Sequence, residues 1–173
     1  VSGEYVIHCD SDDWLELDMY RTLYEQAKKE NADIVYCDFY EETGKDSHVV
    51  SKEIEPTYTK MTIMSEMLKA KGCLNTMWSA LVRRSLLEAP IHYPINDQGE
   101  DFTIMFQVVY YCDKFFYLSQ PLYHYIVNPN SISHKMTKDA AMKRLHDGVA
   151  NRNIIYHFIA ENGLNDLFAE EIV

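Results

Sequence analysis

The chain has 173 residues, 47% of them hydrophobic, which is enough apolar material for one domain with its own core. Its formal net charge of -11 excludes nonspecific nucleic-acid binding, because a polyanion would be repelled and no basic stripe offsets the repulsion. An acidic protein that holds a nucleotide diphosphate needs a cation as bridge. The four cysteines, Cys9, Cys37, Cys73 and Cys112, lack CxxC spacing and read as free thiols of a reducing compartment. No stretch has the length of a membrane helix. With no initiating Met, and a strand starting at Tyr5, the chain reads as cut from a longer one.

Residues Tyr5 to Cys9 form an apolar run after Gly3 and predict a buried, parallel strand that ends abruptly in Asp10-Ser11-Asp12-Asp13. A helix is expected over 18–30, with Asp18 as N-cap, Met19, Leu23, Tyr24 and Ala27 inward, and Lys28 and Lys29 suiting its C-terminal end. Ile34 to Tyr40 predicts a second strand, and His48 to Ile54 a hairpin partner after a polar turn. A helix follows over 61–71, with Met64, Met67 and Leu68 inward and Gly72 as its stop. Trp78 to Arg83 reads as a strand, and Ser85 to Glu88 as one helical turn.

The clearest helix starts at Glu100, where Phe102, Met105, Phe106, Val109 and Tyr110 recur at helical spacing. Two short strands are expected at Phe115 to Leu118 and Leu122 to Val127. Asn128-Pro129-Asn130-Ser131 breaks the chain, and Lys138 onward is mostly helical with Gly163 as an interruption. The alternation of strands and helices is α/β, with antiparallel pairs in the later part.

Asp10, Asp12 and Asp13 sit where the first strand emerges at its carboxyl end, the edge at which open α/β sheets bind ligands. Carboxylates there are hard oxygen ligands for Mg²⁺ or Mn²⁺, and three Asp in four positions repel one another unless a cation intervenes. A solvated turn leading into the next helix is the plainer alternative. An EF-hand calcium loop is a poor fit, since Leu15 and Arg21 stand where its Gly and Glu belong. A haloacid dehalogenase phosphatase also fits poorly, since Asp13 and Trp14 replace the small residues that follow its Asp-x-Asp.

Glu100 and Asp101 open the strongest helix, where the helix dipole alone could account for them; a general base is the functional alternative. His134 lies in a polar segment, either as a surface residue or as a group that touches a metal or diphosphate. His124, in an aromatic strand, reads as structural.

The order of these pieces carries a family resemblance. Gly3 to Asp13 resembles the middle of family 2 glycosyltransferases, where GxY and an apolar strand lead into DSDD. Asn31-Ala32-Asp33-Ile34-Val35 with Cys37-Asp38 is similar to the family's next strand, and Trp78 to Arg84 with Ser85-Leu86-Leu87 to its W-x-x-L-x-R-R segment. Glu100-Asp101 matches its ED motif, and Gln120 to Tyr125 and Asn130 to His134 match its P-L-Y-x-Y and N-S-I-S-H pieces. Ser79 and Ala80 depart from the Asn and Lys common after the tryptophan.

The resemblance implies the C-terminal half of a GT-A fold, a mixed sheet flanked by helices with a helical C-terminus and without the N-terminal part of the nucleotide-binding half. It implies a partial catalytic domain over 1–137 and a helical extension over 138–173. It further implies an inverting transfer from a nucleotide-diphosphate sugar to a saccharide or lipid-linked acceptor, in bacterial cell-surface polysaccharide synthesis on the cytoplasmic side. Carried over, Asp10, Asp12, Asp13 and His134 hold the donor diphosphate. Asp12, Asp10 and His134 hold Mn²⁺ or Mg²⁺, Asp101 is the base beside Glu100, and Trp78 lines the acceptor pocket. A homodimer and peripheral membrane contact of the parent protein are compatible with this picture, as is a noncatalytic carbohydrate-binding or scaffold role.

Overall fold

The computed structural model describes residues 2–70, 74–96, 99–128, 131 and 137–172. In chain order the elements are β1 (Tyr5–Val6), β2 (Trp14–Leu15), α1 (Met19–Glu30), β3 (Ile34–Thr43), β4 (Asp46–Val50), α2 (Lys60–Leu68), β5 (Ala80–Arg83), a 3-10 helix (Arg84–Glu88), α3 (Glu100–Tyr111), β6 (Phe115–Ile126) and α4 (Lys138–Glu161). Among the described residues the strands form one mixed sheet, ordered β1-β5-β3-β6-β2, with β4 paired to the far end of β3.

β3 is the spine of this sheet. A strand sends alternate side chains to opposite faces. Ile34 and Tyr36 therefore enter one buried cluster, and Val35, Cys37 and Phe39 enter the other. Both faces are covered, so β3 reads as a nearly continuous apolar run. α1 covers the second face with Met19, Leu23 and Ala27. α2, α3 and α4 cover the first, with Met64 and Met67, Met105 and Phe106, and Ile155 and Phe158 in one shared core. The result is a helix–sheet–helix sandwich, the α/β class expected. No helix among the described residues is long and apolar enough to cross a membrane.

Several elements depart from the sequence-based expectation. β1 is two residues long, half-buried, and antiparallel to β5 rather than parallel and buried, because it pairs only with β5 at the margin of the described sheet. Tyr24 is 46% exposed and meets Tyr5 edge-on, since Met19, Leu23 and Ala27 set the buried line of α1 and Tyr24 lies off it. Asp18 occupies the N-cap of α1 without a side-chain capping bond. The hairpin partner starts at Asp46, after a turn in which Gly44 takes φ +64. α2 ends at Leu68, ahead of Gly72, which lies outside the described residues.

The two strands expected after α3 are one strand, β6, running parallel to β3. Leu118 faces Cys37 and Pro121 faces Asp38, so Ser119 and Gln120 form a bulge within it. β2 was not foreseen, because two residues carry no periodicity. Cys9 is exposed and Cys37 and Cys112 are buried, all three as free thiols; Cys73 lies outside the described residues.

Candidate active site

The acidic segment is a tight turn. The Asp13 amide donates to the Asp10 carbonyl at 3.3 Å, which places Ser11 and Asp12 at the tip. β2 follows at once and pairs with β6, Trp14 opposite His124 and Leu15 opposite Tyr123. The turn is thereby tied to the sheet through its C-terminal flank.

Tyr123 fixes the turn from within. Its hydroxyl accepts from the Asp10 amide at 3.1 Å and donates to Asp13 Oδ2 at 2.7 Å. The other Asp13 oxygen accepts from the Ile126 amide at 2.8 Å. Both oxygens of Asp13 are thus engaged with β6, and burial is the main influence pushing its carboxyl above the ordinary aspartate range. Asp12 is left exposed at the tip, and half-buried Asp10 lies 3.1 Å from His8 Nε2 through Oδ1.

His124 holds the flank. Its ring is buried between Trp14 at 3.3 Å and Tyr40 at 4.4 Å, with Nδ1 2.6 Å from Glu42 and Nε2 3.1 Å from Glu16. This is the structural part that the sequence suggested for it.

The second carboxylate comes from α3. Gly99 turns the chain into this helix at φ +76, and a Cβ there would meet the Asn151 side chain at 3.1 Å. Glu100 and Asp101 follow in the first turn. Asp101 Oδ2 accepts from the Met77 amide at 3.0 Å. Burial pushes the Asp101 carboxyl up to about 6, against the Met77 bond, and the neighbouring charges of Glu100 and Asp10 add to the rise while His8 opposes it. The charges of the acidic turn thus reach Asp101, with Asp10 adding to its rise.

Trp78 lies between these two parts. It is 8% exposed, stacked on Tyr123 at 4.5 Å and on Tyr125 at 5.6 Å, and edge-on to Phe39 at 4.8 Å. Its ring is largely enclosed by these aromatic neighbours. His134 lies outside the described residues.

Sequence reasoning missed His8, Met77 and the part played by Tyr123. His8 looked like one more residue of an apolar run, and Met77 acts through its backbone, which leaves no trace in residue type. The Pro121-Leu122-Tyr123 motif was visible, but the partner of its hydroxyl was not.

Among the described residues no three His, Cys, Asp or Glu side chains converge as a ready metal cage. The donor set nevertheless suits a hard cation of the Mg²⁺ type, which is commonly held by one or two carboxylates while substrate phosphates and water complete its shell. Exposed Asp12 and its neighbour Asp10 supply that number.

Comparison with known proteins gives one consistent result. The model of the family described as Glycosyl transferase family 2 matches residues 1–89. EpsH of Bacillus subtilis (strain 168) is 28% identical over 98% of the chain, which spans 50% of that protein. Glycosyltransferase GlyA of Streptococcus pneumoniae is 28% identical over 88% of the chain, which spans 23% of it. The crystal structure of S. aureus TarS 1-349 in complex with UDP-GlcNAc superposes on 92% of the chain with a TM-score of 0.61 and 14% identity, and the chain spans 50% of it. The fold is thus the GT-A arrangement expected from the sequence, and the chain spans half or less of each of these proteins.

Proposed function

This chain belongs to glycosyl transferase family 2, and we propose that the protein it comes from is a hexosyltransferase that moves a sugar from a nucleotide-diphosphate donor to an acceptor hydroxyl with inversion. The acceptor is a saccharide or lipid-linked saccharide of bacterial cell-surface polysaccharide synthesis, on the cytoplasmic side of the membrane. The TarS complex with UDP-GlcNAc supports a nucleotide sugar as donor.

The observation that carries this reading is the pairing of an exposed acidic turn with a half-buried carboxylate, Asp101, raised to about 6. Asp12 and Asp10 would hold Mn²⁺ or Mg²⁺ against the donor diphosphate. The cation supplies Lewis-acid neutralisation of the charge left on the diphosphate, so no acidic side chain is needed for the leaving group. Asp101 accepts the proton of the acceptor hydroxyl as that oxygen attacks the anomeric carbon from the face opposite the diphosphate. A carboxylate with a pKa near the working pH suits this task, because it is ionised yet basic enough to take the proton. The Met77 amide holds the Asp101 carboxylate in place through Oδ2 and leaves Oδ1 for the acceptor. Partial burial around Asp101 limits the access of water to that position. Glu100 beside it adds negative charge that keeps Asp101 basic. Asp13, with both oxygens engaged, shapes the turn.

The test is Mn²⁺-dependent donor hydrolysis and transfer by the full-length parent protein. Release of nucleoside diphosphate that requires Mn²⁺ or Mg²⁺ is expected. No release with any nucleotide sugar, with or without metal, would remove the reading.

A further inference from the structure

We infer that Tyr123 is a positioning residue for the transfer reaction, setting the acidic turn and the base at a fixed spacing through the Met77-Trp78 pair. The inference rests on the transferase reading above. It concerns a residue whose ring is fully buried.

One hydroxyl serves both ends of the turn. It accepts from the amide of the first aspartate, Asp10, and donates to the carboxylate of the last, Asp13. A phenol does both at once, and phenylalanine does neither. The donated bond, together with the Ile126 amide on the other oxygen, draws Asp13 toward β6. Asp13 is thereby kept from crowding Asp10 and Asp12, whose charges it feels. Those two are left as the pair that faces a cation.

The ring of the same residue carries the second half of the argument. Trp78 stacks on Tyr123 at 4.5 Å with an interplanar angle of 26°. The residue before Trp78 is Met77, whose amide holds Asp101 Oδ2 at 3.0 Å. The path from turn to base therefore runs through a hydroxyl, a ring stack, the backbone from Trp78 back to Met77 and the Met77 amide bond to Asp101. Interiors packed at crystal-like density transmit such displacements.

The experiment uses the full-length parent protein and its Tyr123→Phe and Asp13→Asn variants. Four quantities are measured: Mn²⁺ affinity without donor, kcat, KM for acceptor, and amide hydrogen exchange at Asp10. Tyr123→Phe is expected to weaken Mn²⁺ binding about fivefold or more and to lower kcat about tenfold. Acceptor KM should stay within twofold, and the Asp10 amide should exchange faster. Asp13→Asn is expected to give the same pattern, and the double variant should be no worse than the poorer single one. Mn²⁺ affinity and kcat within twofold of wild type in Tyr123→Phe would overturn the inference, and so would losses that add fully in the double variant. If Tyr123→Phe does not fold, Asp13→Asn keeps the ring and decides the matter by the same readings. Wild-type protein that binds Mn²⁺ but transfers no sugar would instead count against the function on which the inference rests.

Discussion

Asp12 and Asp101 carry the same chemical group in opposite settings. Asp12 is exposed at the tip of a four-residue turn whose shape is held by its neighbours Asp10 and Asp13. Asp101 is half-buried at the start of a helix, bonded to one backbone amide, with desolvation holding its carboxyl at about 6. Exposure leaves the first open to a cation from solvent. Burial makes the second a better proton acceptor near neutral pH. On the proposed mechanism, environment more than residue type would divide the labour between them.

The comparison breaks most visibly if Asp101 is neutralised. Asp101→Asn is expected to lower turnover of the parent enzyme about 10³-fold, with donor binding retained, because only the proton acceptor is lost. Near-normal turnover would take the base role from it. In the wild type, turnover should rise with pH through about 6 as Asp101 ionises, and this limb should vanish in the variant. Asp12→Ala is expected to cost about 10²-fold in turnover and to weaken Mn²⁺ binding. A variant that binds Mn²⁺ normally would move the cation elsewhere.

Stability sharpens the contrast further. The Asp101 carboxyl ionises at its ordinary value of 3.8 when unfolded and at about 6 when folded. The folded state therefore holds the proton more tightly, and stability falls as pH rises between those values. Asp101→Asn escapes this loss. At pH 8 it should be more stable than wild type by about 1–3 kcal/mol in denaturant melts, and at pH 4 the gain should be gone. The smallest effect is expected at the entry to α1. Asp18 makes no side-chain capping bond there, so Asp18→Ala should change stability by less than about 0.5 kcal/mol where a bonded cap would cost about 1.

Much of this was legible before any coordinates. The 3.6-residue stripe of α3 and the apolar run of β3 are strong signals, because burial fixes them directly. Asp10, Asp12 and Asp101 were readable because each stands at the end of a recognisable element. The remainder depends on partners that sequence spacing does not encode. Tyr24 was expected to face inward on α1, but Met19, Leu23 and Ala27 form its buried line and Tyr24 lies off it. The Met77 amide has no side-chain signature, and the burial of Trp78 follows from stacking on residues about 45 positions downstream. β1 was mistaken for a parallel strand because apolar runs do not report direction.

The bulge in β6 has a consequence for which side of the sheet sees the acidic turn. Two steps along β3, from Cys37 to Phe39, correspond to five along β6, from Leu118 to Tyr123. The slip is odd, and side chains alternate with a period of two. Phe115 and Tyr117 point to the layer of α2 and α3, whereas Tyr123 and Tyr125 join the layer of α1 and Trp78. An unbroken strand would have left all four tyrosine and phenylalanine rings on one side, with the phenol of Tyr123 pointing away from Asp13. The three extra residues, Ser119 and Gln120 at the first shift and Leu122 at the second, work as a parity switch, converting the strand from a builder of the core at its beginning to a builder of the floor beneath the acidic turn at its end.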